Sequence, residues 1–212
     1  MIRILIADDH FLVRAGLRQL LEENLPHIGV DEADDAASAL SRAAAADYDL
    51  VMLDFSMPGR DGLDLLRDLI DLNPRTHVII LSIMPEDQYA LRAFKLGASG
   101  CLNKSMDPAE LLDAVRTVLS GRRFLSKRSQ ELLLGDMTGD PAAEPHTRLS
   151  DREFQVLRLL ASGKSVGEIA ALCSLSAKTV STYRGRVLEK MNMENNAQLM
   201  NYAFRHGLVD AT

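Results

Sequence analysis

Four apolar runs, far apart in the chain, each stop at a side chain that carries chemistry, and no other feature constrains the fold as much. Residues 2–7 (IRILIA) run into Asp8 and Asp9, 49–53 (DLVML) into Asp54, 77–81 (HVIIL) into Ser82, and 100–103 (GCLN) into Lys104. Short, near-continuous apolar runs separated by helix-period stretches read as parallel strands buried on both faces. Residues just past the carboxyl ends of such strands line one crevice, so the four pieces are expected to meet in space. Three carboxylates gathered there repel one another until a cation or a proton intervenes, and an oxygen-rich donor set suits the hard cation Mg²⁺. A lysine and a hydroxyl beside them are fit to hold the oxygens of a phosphoryl group.

Between the runs an amphipathic helix recurs, near residues 11–24, 35–46, 62–72, 86–96 and 108–119, and a short acidic strand is expected near 30–33. Five such βα repeats predict a doubly wound α/β domain with a five-stranded parallel sheet. Pro58-Gly59 and Asp61-Gly62 punctuate the loop after the third strand, Gly97 stands as a helix stop, and Asp107-Pro108 supplies a cap followed by proline at the first helical position. The pattern ends at Gly121. Residues 124–134 suit a short helix, and 135–147 (GDMTGDPAAEPHT) have the composition of a flexible linker. Beyond it, Ser150 with Glu153 and Ser165 with Glu168 have the spacing of capping boxes. Four short helices are expected at 151–161, 166–173, 177–191 and 197–206. The expected division is therefore an α/β domain over 1–121, a linker with a possible short helix over 122–147, and a small all-α domain over 148–212.

With 212 residues and 47% apolar content, the chain has enough material for one medium core and one small one. It does not open on a basic stretch followed by a long apolar one, and nowhere do eighteen apolar residues run together, so neither a secretory signal nor a membrane span is expected. Cys101 and Cys173 lack CxxC partners, which argues against a disulfide framework or a zinc site and fits a reducing, cytoplasmic setting. The net charge of −6 hides an asymmetry: nine Lys/Arg and six Asp/Glu from Arg148 onward give +3, which leaves −9 before it. The basic half is the one suited to nucleic acid.

In residues 177–191 (AKTVSTYRGRVLEKM), Val180, Val187, Leu188 and Met191 recur at helical steps and face a core. Lys178, Ser181, Thr182 and Gly185 then lie on the opposite face, flanked by Arg184, Arg186 and Lys190. A short helix, a tight turn at 173–175 and a second helix with a small-polar and basic outer face is a helix-turn-helix, whose second helix enters the major groove. The same periodicity also describes a basic solvent-facing helix in a small bundle. Asp54, taken alone, reads more readily as a helix cap or a surface charge than as a nucleophile; the ordered set of residues at the strand ends is what favours a phosphoryl site. His10 reads as a residue opening the first helix, and Cys101 as a small buried residue rather than a reactive thiol.

The segments ADDH (7–10), LDFSMPGRDG (53–62), LS (81–82) and KLGASGCLNK (95–104) resemble the receiver domain of bacterial two-component response regulators. The resemblance implies a flavodoxin-like fold in which Asp54 accepts a phosphoryl group from a sensor histidine kinase. It implies that Asp8, Asp9, Asp54 and the backbone carbonyl of Ser56 hold Mg²⁺, that Lys104 pairs with the phosphoryl group, and that Ser82 bonds to one of its oxygens and draws its loop inward. Three residues before the lysine, where receivers usually carry an aromatic side chain that swings inward with the Ser/Thr, stands Cys101; Tyr89 is the aromatic residue nearby that is able to replace it. The segments LSDREFQVLRLLASGKSVGEIA and LSAKTVSTYRGRVLEKM resemble the LuxR-type helix-turn-helix, and the two halves together resemble response regulators of the NarL/FixJ class, close to the GacA/UvrY-like branch. Carried onto this chain, base contacts fall to Ser181, Thr182 and the Gly185 position, and phosphate contacts to Lys178, Thr179, Tyr183, Arg184, Arg186 and Lys190.

One recognition helix with about four cations makes few phosphate contacts, so a homodimer on double-stranded promoter DNA is expected. The last helix, apolar at Leu199, Met200, Ala203 and Phe204, is the candidate contact between copies. Two other readings use the same residues. An aspartate-nucleophile phosphohydrolase usually needs a second acid two positions after the nucleophile, where this chain has Ser56. A phosphorylation-independent regulator, controlled by a ligand or a partner protein, would keep the fold while losing parts of the acidic site, and here all the parts are present.

Overall fold

The computed structural model describes residues 1–57, 60–83, 86, 89–138, 144–173 and 175–209. The turn expected at Pro58-Gly59, Met84, the middle of the expected linker and Ser174 of the turn before the recognition helix lie outside the described residues. Two compact units divide the chain, Met1–Leu134 and Gly135–Thr212.

In the first unit, β1 (Ile2–Ala7), β2 (Ile28–Ala33), β3 (Leu50–Asp54), β4 (His77–Ser82) and β5 (Gly100–Asn103) form one parallel sheet in the order β2-β1-β3-β4-β5. The apolar runs are continuous because helices cover both faces. Leu5, Val51, Leu53, Val78 and Ile80 pack with Leu63, Leu66 and Phe94 from α3 (Gly62–Leu72) and α4 (Ala90–Leu96), together with Ala36 and Ala39 of α2 (Ala36–Ala45). Their neighbours Ile4, Ile6, Leu50, Met52, Ile79 and Leu81 point the other way, onto Leu21 of α1 (Phe11–Asn24) and Leu111, Val115 and Val118 of α5 (Pro108–Leu119). Each of these buried side chains contributes about 1.5–3 kcal/mol relative to exposure.

The second strand starts at Ile28, two residues before the expected start, because the ladder with β1 runs from Ile2↔Ile28 to Ala7↔Ala33. Its acidity is explained by arginines: Arg3 donates to Asp31 (2.8 Å), and Arg14 and Arg18 donate to Glu32 (3.1 and 2.6 Å). At the other end of the sheet, Gly97 takes φ +107° and stops α4, as its position after the apolar run predicts. Pro108 opens α5, but the Asp107 side chain makes no capping hydrogen bond there. Asp61 does cap α3, through the Leu63 amide at 3.0 Å. Gly62 has to be glycine, since a Cβ there would sit 2.4 Å from the Phe55 carbonyl oxygen.

After α5 the chain returns to the sheet edge. Phe124 donates its amide to Ser99 (2.8 Å) and bridges to Gly100 of β5. Then α6 (Lys127–Thr138) begins, with the Ser129 amide capped by Ser126 Oγ at 3.0 Å, while Leu125, Leu132 and Leu133 pack against the core on the α2–α4 side.

The second unit contains a turn of 3₁₀ helix at Pro145–Arg148 and then α7 (Asp151–Ala161), α8 (Val166–Leu172), α9 (Ala177–Lys190) and α10 (Asn196–Arg205). Both capping boxes form: Ser150 with Glu153 opens α7, and Ser165 with Glu168 opens α8. Phe154, Leu157, Ile169, Val180, Val187 and Leu199 meet in its core. No helix among the described residues is long and apolar enough to cross a membrane.

Candidate functional site

The carboxyl ends of β1, β3 and β4 and the residue after β5 meet at one end of the sheet. Asp8 and Asp54 are buried there, with Ser82 fully enclosed beside them. Lys104 Nζ stands 2.7 Å from Asp8 Oδ2 and 2.9 Å from Asp54 Oδ2, so one ammonium joins the first strand's acid to the third strand's. The Lys104 amide donates to the Ser82 carbonyl (2.8 Å), which ties the ends of β4 and β5 together. The Ser56 amide donates to Asp54 Oδ1 (3.0 Å).

Carboxylate oxygens of Asp8, Asp9 and Asp54 and a ring nitrogen of His10 all lie within 4.8 Å of one another. Lys104 offers a single positive charge against three carboxylates. The oxygens Asp8 Oδ2 and Asp9 Oδ1 are closed off from solvent and have no hydrogen-bond donor in good geometry, although Lys104 and the His10 ring stand at ion-pair distance. Hard oxygens left short of partners fit a hard divalent cation. Burial pushes the Asp54 carboxyl above the usual carboxylate range; the Ser56 amide and Lys104 work against this, and the Asp8 charge adds to it. For Lys104, burial opposes the ammonium but the bonds to Asp8 and Asp54 prevail, and its pKa is raised.

Two contributors escape a reading of the strand ends. His10 opens α1 as expected, but its Nδ1 also lies 2.7 Å from Asp9 Oδ1. Arg14, one turn further on, is buried and donates through Nη1 to the Asp8 carbonyl (2.6 Å), holding the backbone of the acid pair. The spacing of an arginine on the inner face of α1 was the available signal.

Cys101 is fully buried, and burial holds its thiol well above the usual range, so it stays protonated. The aromatic volume on this side comes from Tyr89, just before α4. Its ring lies 4.8 Å from the Phe55 ring, and its hydroxyl reaches the Leu102 carbonyl at 3.4 Å.

In the second unit, Lys178, Ser181, Thr182, Gly185, Arg186 and Lys190 are exposed on α9, while Val180 and Val187 are buried. Thr179 and Tyr183 are half-buried; Thr179 supplies its amide to the Ser176 cap (3.0 Å). Arg184 donates through Nε to Asn196 Oδ1 at the start of α10 (2.7 Å). Lys190 donates to Glu153 Oε2 (2.6 Å), so its ammonium is engaged within its own fold. On α10, Leu199 and Ala203 belong to the unit's own core, whereas Met200 and Phe204 are exposed.

The family model for the response regulator receiver domain matches residues 4–116, and that for bacterial regulatory proteins of the luxR family matches residues 147–203. Response regulator UvrY of Escherichia coli (strain K12) is 35% identical over 212 residues, covering 100% of this chain and 97% of the relative. Response regulator GacA of Pseudomonas aeruginosa is 35% identical over 214 residues, covering 100% of this chain and 99% of the relative. Among solved structures, RcsB from Salmonella enterica serovar Typhimurium, bound to promoter rprA in the presence of the phosphomimetic BeF3⁻, has a TM-score of 0.74 at 28% identity, over 95% of this chain and 98% of that one.

Proposed function

Because the chain belongs to the response regulators that join a receiver domain to a LuxR-family DNA-binding domain, we propose that it is a transcriptional regulator switched on by phosphorylation of Asp54. As a member of that family it is a DNA-binding regulator and not an enzyme. The observation that carries the proposal is the Lys104 ammonium, held between the Asp8 and Asp54 carboxylates at the ends of parallel strands.

In this reading a sensor histidine kinase presents a phosphohistidine to the crevice. An Asp54 oxygen attacks phosphorus, the P–N bond breaks, and an acyl phosphate remains on Asp54. Lys104 follows the new oxygens, and Ser82 offers its hydroxyl to one of them. Mg²⁺, held by Asp8, Asp9, Asp54 and the Ser56 carbonyl, would neutralise the crowded carboxylates and the phosphoryl charge. Phosphorylation adds roughly two negative charges, enough to reorder the loops that carry these groups. The active protein is a cytoplasmic homodimer on promoter DNA, with Ser181, Thr182 and the open face at Gly185 against base edges. Lys178, Thr179, Tyr183, Arg184 and Arg186 contact phosphates. Lys190, paired with Glu153, is the least available of the set. The RcsB complex, solved on promoter DNA with a phosphomimetic, supports this reading by likeness.

Intact-mass measurement with a small phosphodonor and Mg²⁺ tests it. Wild type should gain one phosphoryl group and Asp54→Asn none. A wild type that stays unlabelled would favour the phosphorylation-independent reading.

A further inference from the structure

Glu86 lies four positions beyond Ser82 and takes no part in the crevice. Its Oε2 accepts two hydrogen bonds, from Ser126 Oγ and from Ser129 Oγ, each at 2.5 Å. Ser129 is 1% exposed, so its hydroxyl has no recourse to water if the carboxylate leaves. Both serines sit at the start of α6, the helix that leads out of the first unit. From Asp54, a run of contacts reaches the backbone of Glu86. Phe55 follows Asp54 directly and donates its amide to Leu81 at the end of β4 (2.8 Å). The Phe55 ring lies 4.8 Å from that of Tyr89, which is 1% exposed. The Tyr89 amide donates to the Glu86 carbonyl (3.1 Å).

We infer that Glu86 is a positioning residue that holds α6 on the receiver domain while Asp54 is unmodified and releases it when Asp54 is phosphorylated. The inference rests on the phosphoacceptor reading of Asp54. When Ser82 is drawn to the phosphoryl group, its neighbour Leu81 shifts with the Phe55 amide bonded to it, and the Phe55–Tyr89 ring pair carries the shift to the backbone of Glu86. Glu86 is then withdrawn from the two serines. Charge-assisted bonds to a carboxylate are short-range and directional, so a small displacement suffices to lose them. The start of α6 loses its anchor, and the tether to the DNA-binding domain lengthens from Ser126 onward. By linkage, whatever loosens α6 also favours the phosphorylated arrangement.

Hydrogen exchange over residues 125–134 of the full chain, with and without BeF3⁻ and Mg²⁺, tests the idea in wild type, Glu86→Gln and Ser129→Ala. Ser126 is left intact because it also caps α6. In wild type, BeF3⁻ should slow exchange beside Asp54 and speed it over 125–134 by about tenfold, the scale of one hydrogen bond to a charged group. In Ser129→Ala and Glu86→Gln the segment should exchange faster before BeF3⁻ is added, and BeF3⁻ should add little. A purely structural anchor would also loosen in the variants, but BeF3⁻ would leave the wild-type segment unchanged, and that result overturns the inference. If BeF3⁻ alters exchange neither beside Asp54 nor over 125–134, the phosphoacceptor reading falls as well.

Discussion

Asp54 is held in a state that does not favour its own charge. Burial raises its pKa, with the Ser56 amide and Lys104 opposing, so the folded chain keeps the Asp54 proton to higher pH than the unfolded chain does. Stability therefore falls as pH rises from the ordinary value of 3.8 through the folded value, and the cost stays in force at neutral pH. Asp54→Asn removes the charge at nearly constant volume. Its midpoint of thermal unfolding at pH 7 should exceed that of wild type, and the gap should close below pH 3.8. Equal midpoints at both pH values would contradict this. Lys190 shows what residue spacing leaves out. Helical periodicity put it on the flank of the recognition helix with Arg186, but its ammonium meets Glu153, 37 positions away in sequence and 2% exposed. Arg186→Ala should reduce the salt slope of DNA binding by about 1 and leave stability unchanged. Lys190→Ala should instead lower stability by about 1 kcal/mol, a value kept small because the lysine is half-exposed. Salt titration of binding, with thermal unfolding of the same samples, separates the two.

At the scale of elements, the strand ends were legible because a parallel sheet covered on both faces forces uninterrupted apolar runs, and the chemistry begins where each run stops. The start of β2 was not, because its charges are balanced by Arg3, Arg14 and Arg18 from β1 and α1, partners that local sequence does not reveal. The start of α6 was hidden in the same way. The sequence suits a short helix over 124–134, whereas α6 runs Lys127–Thr138, and what docks its start is Leu125, Leu132 and Leu133 on a distant core with two serines on Glu86, partners that local sequence does not reveal. On α10 the apolar stripe divides, Leu199 and Ala203 facing inward and Met200 and Phe204 outward. An exposed apolar pair one turn apart suits a contact between two copies. Met200→Ser with Phe204→Ser should leave the unfolding midpoint within a degree or two, since exposed positions contribute within about 0.5 kcal/mol. Dimerisation on DNA should be abolished in gel-shift titrations; a doubly mutated chain that still binds as a dimer would move the interface elsewhere.

For the molecule as a whole, a half of −9 that holds the acidic crevice is joined to a half of +3 that carries the LuxR-family DNA-binding domain. In the proposed function, the state of Asp54 sets the state of the DNA-binding half. Two states of such a protein differ by a few kcal/mol, and a phosphoryl group shifts them by the difference between its interactions in each. Sedimentation tests this most directly, using wild type and Asp54→Asn with Mg²⁺, each with and without BeF3⁻, and then the same samples on DNA. BeF3⁻ should convert wild type alone to a dimer and tighten its binding to DNA. If wild type and Asp54→Asn sediment and bind alike in every condition, the acidic crevice does not control this protein.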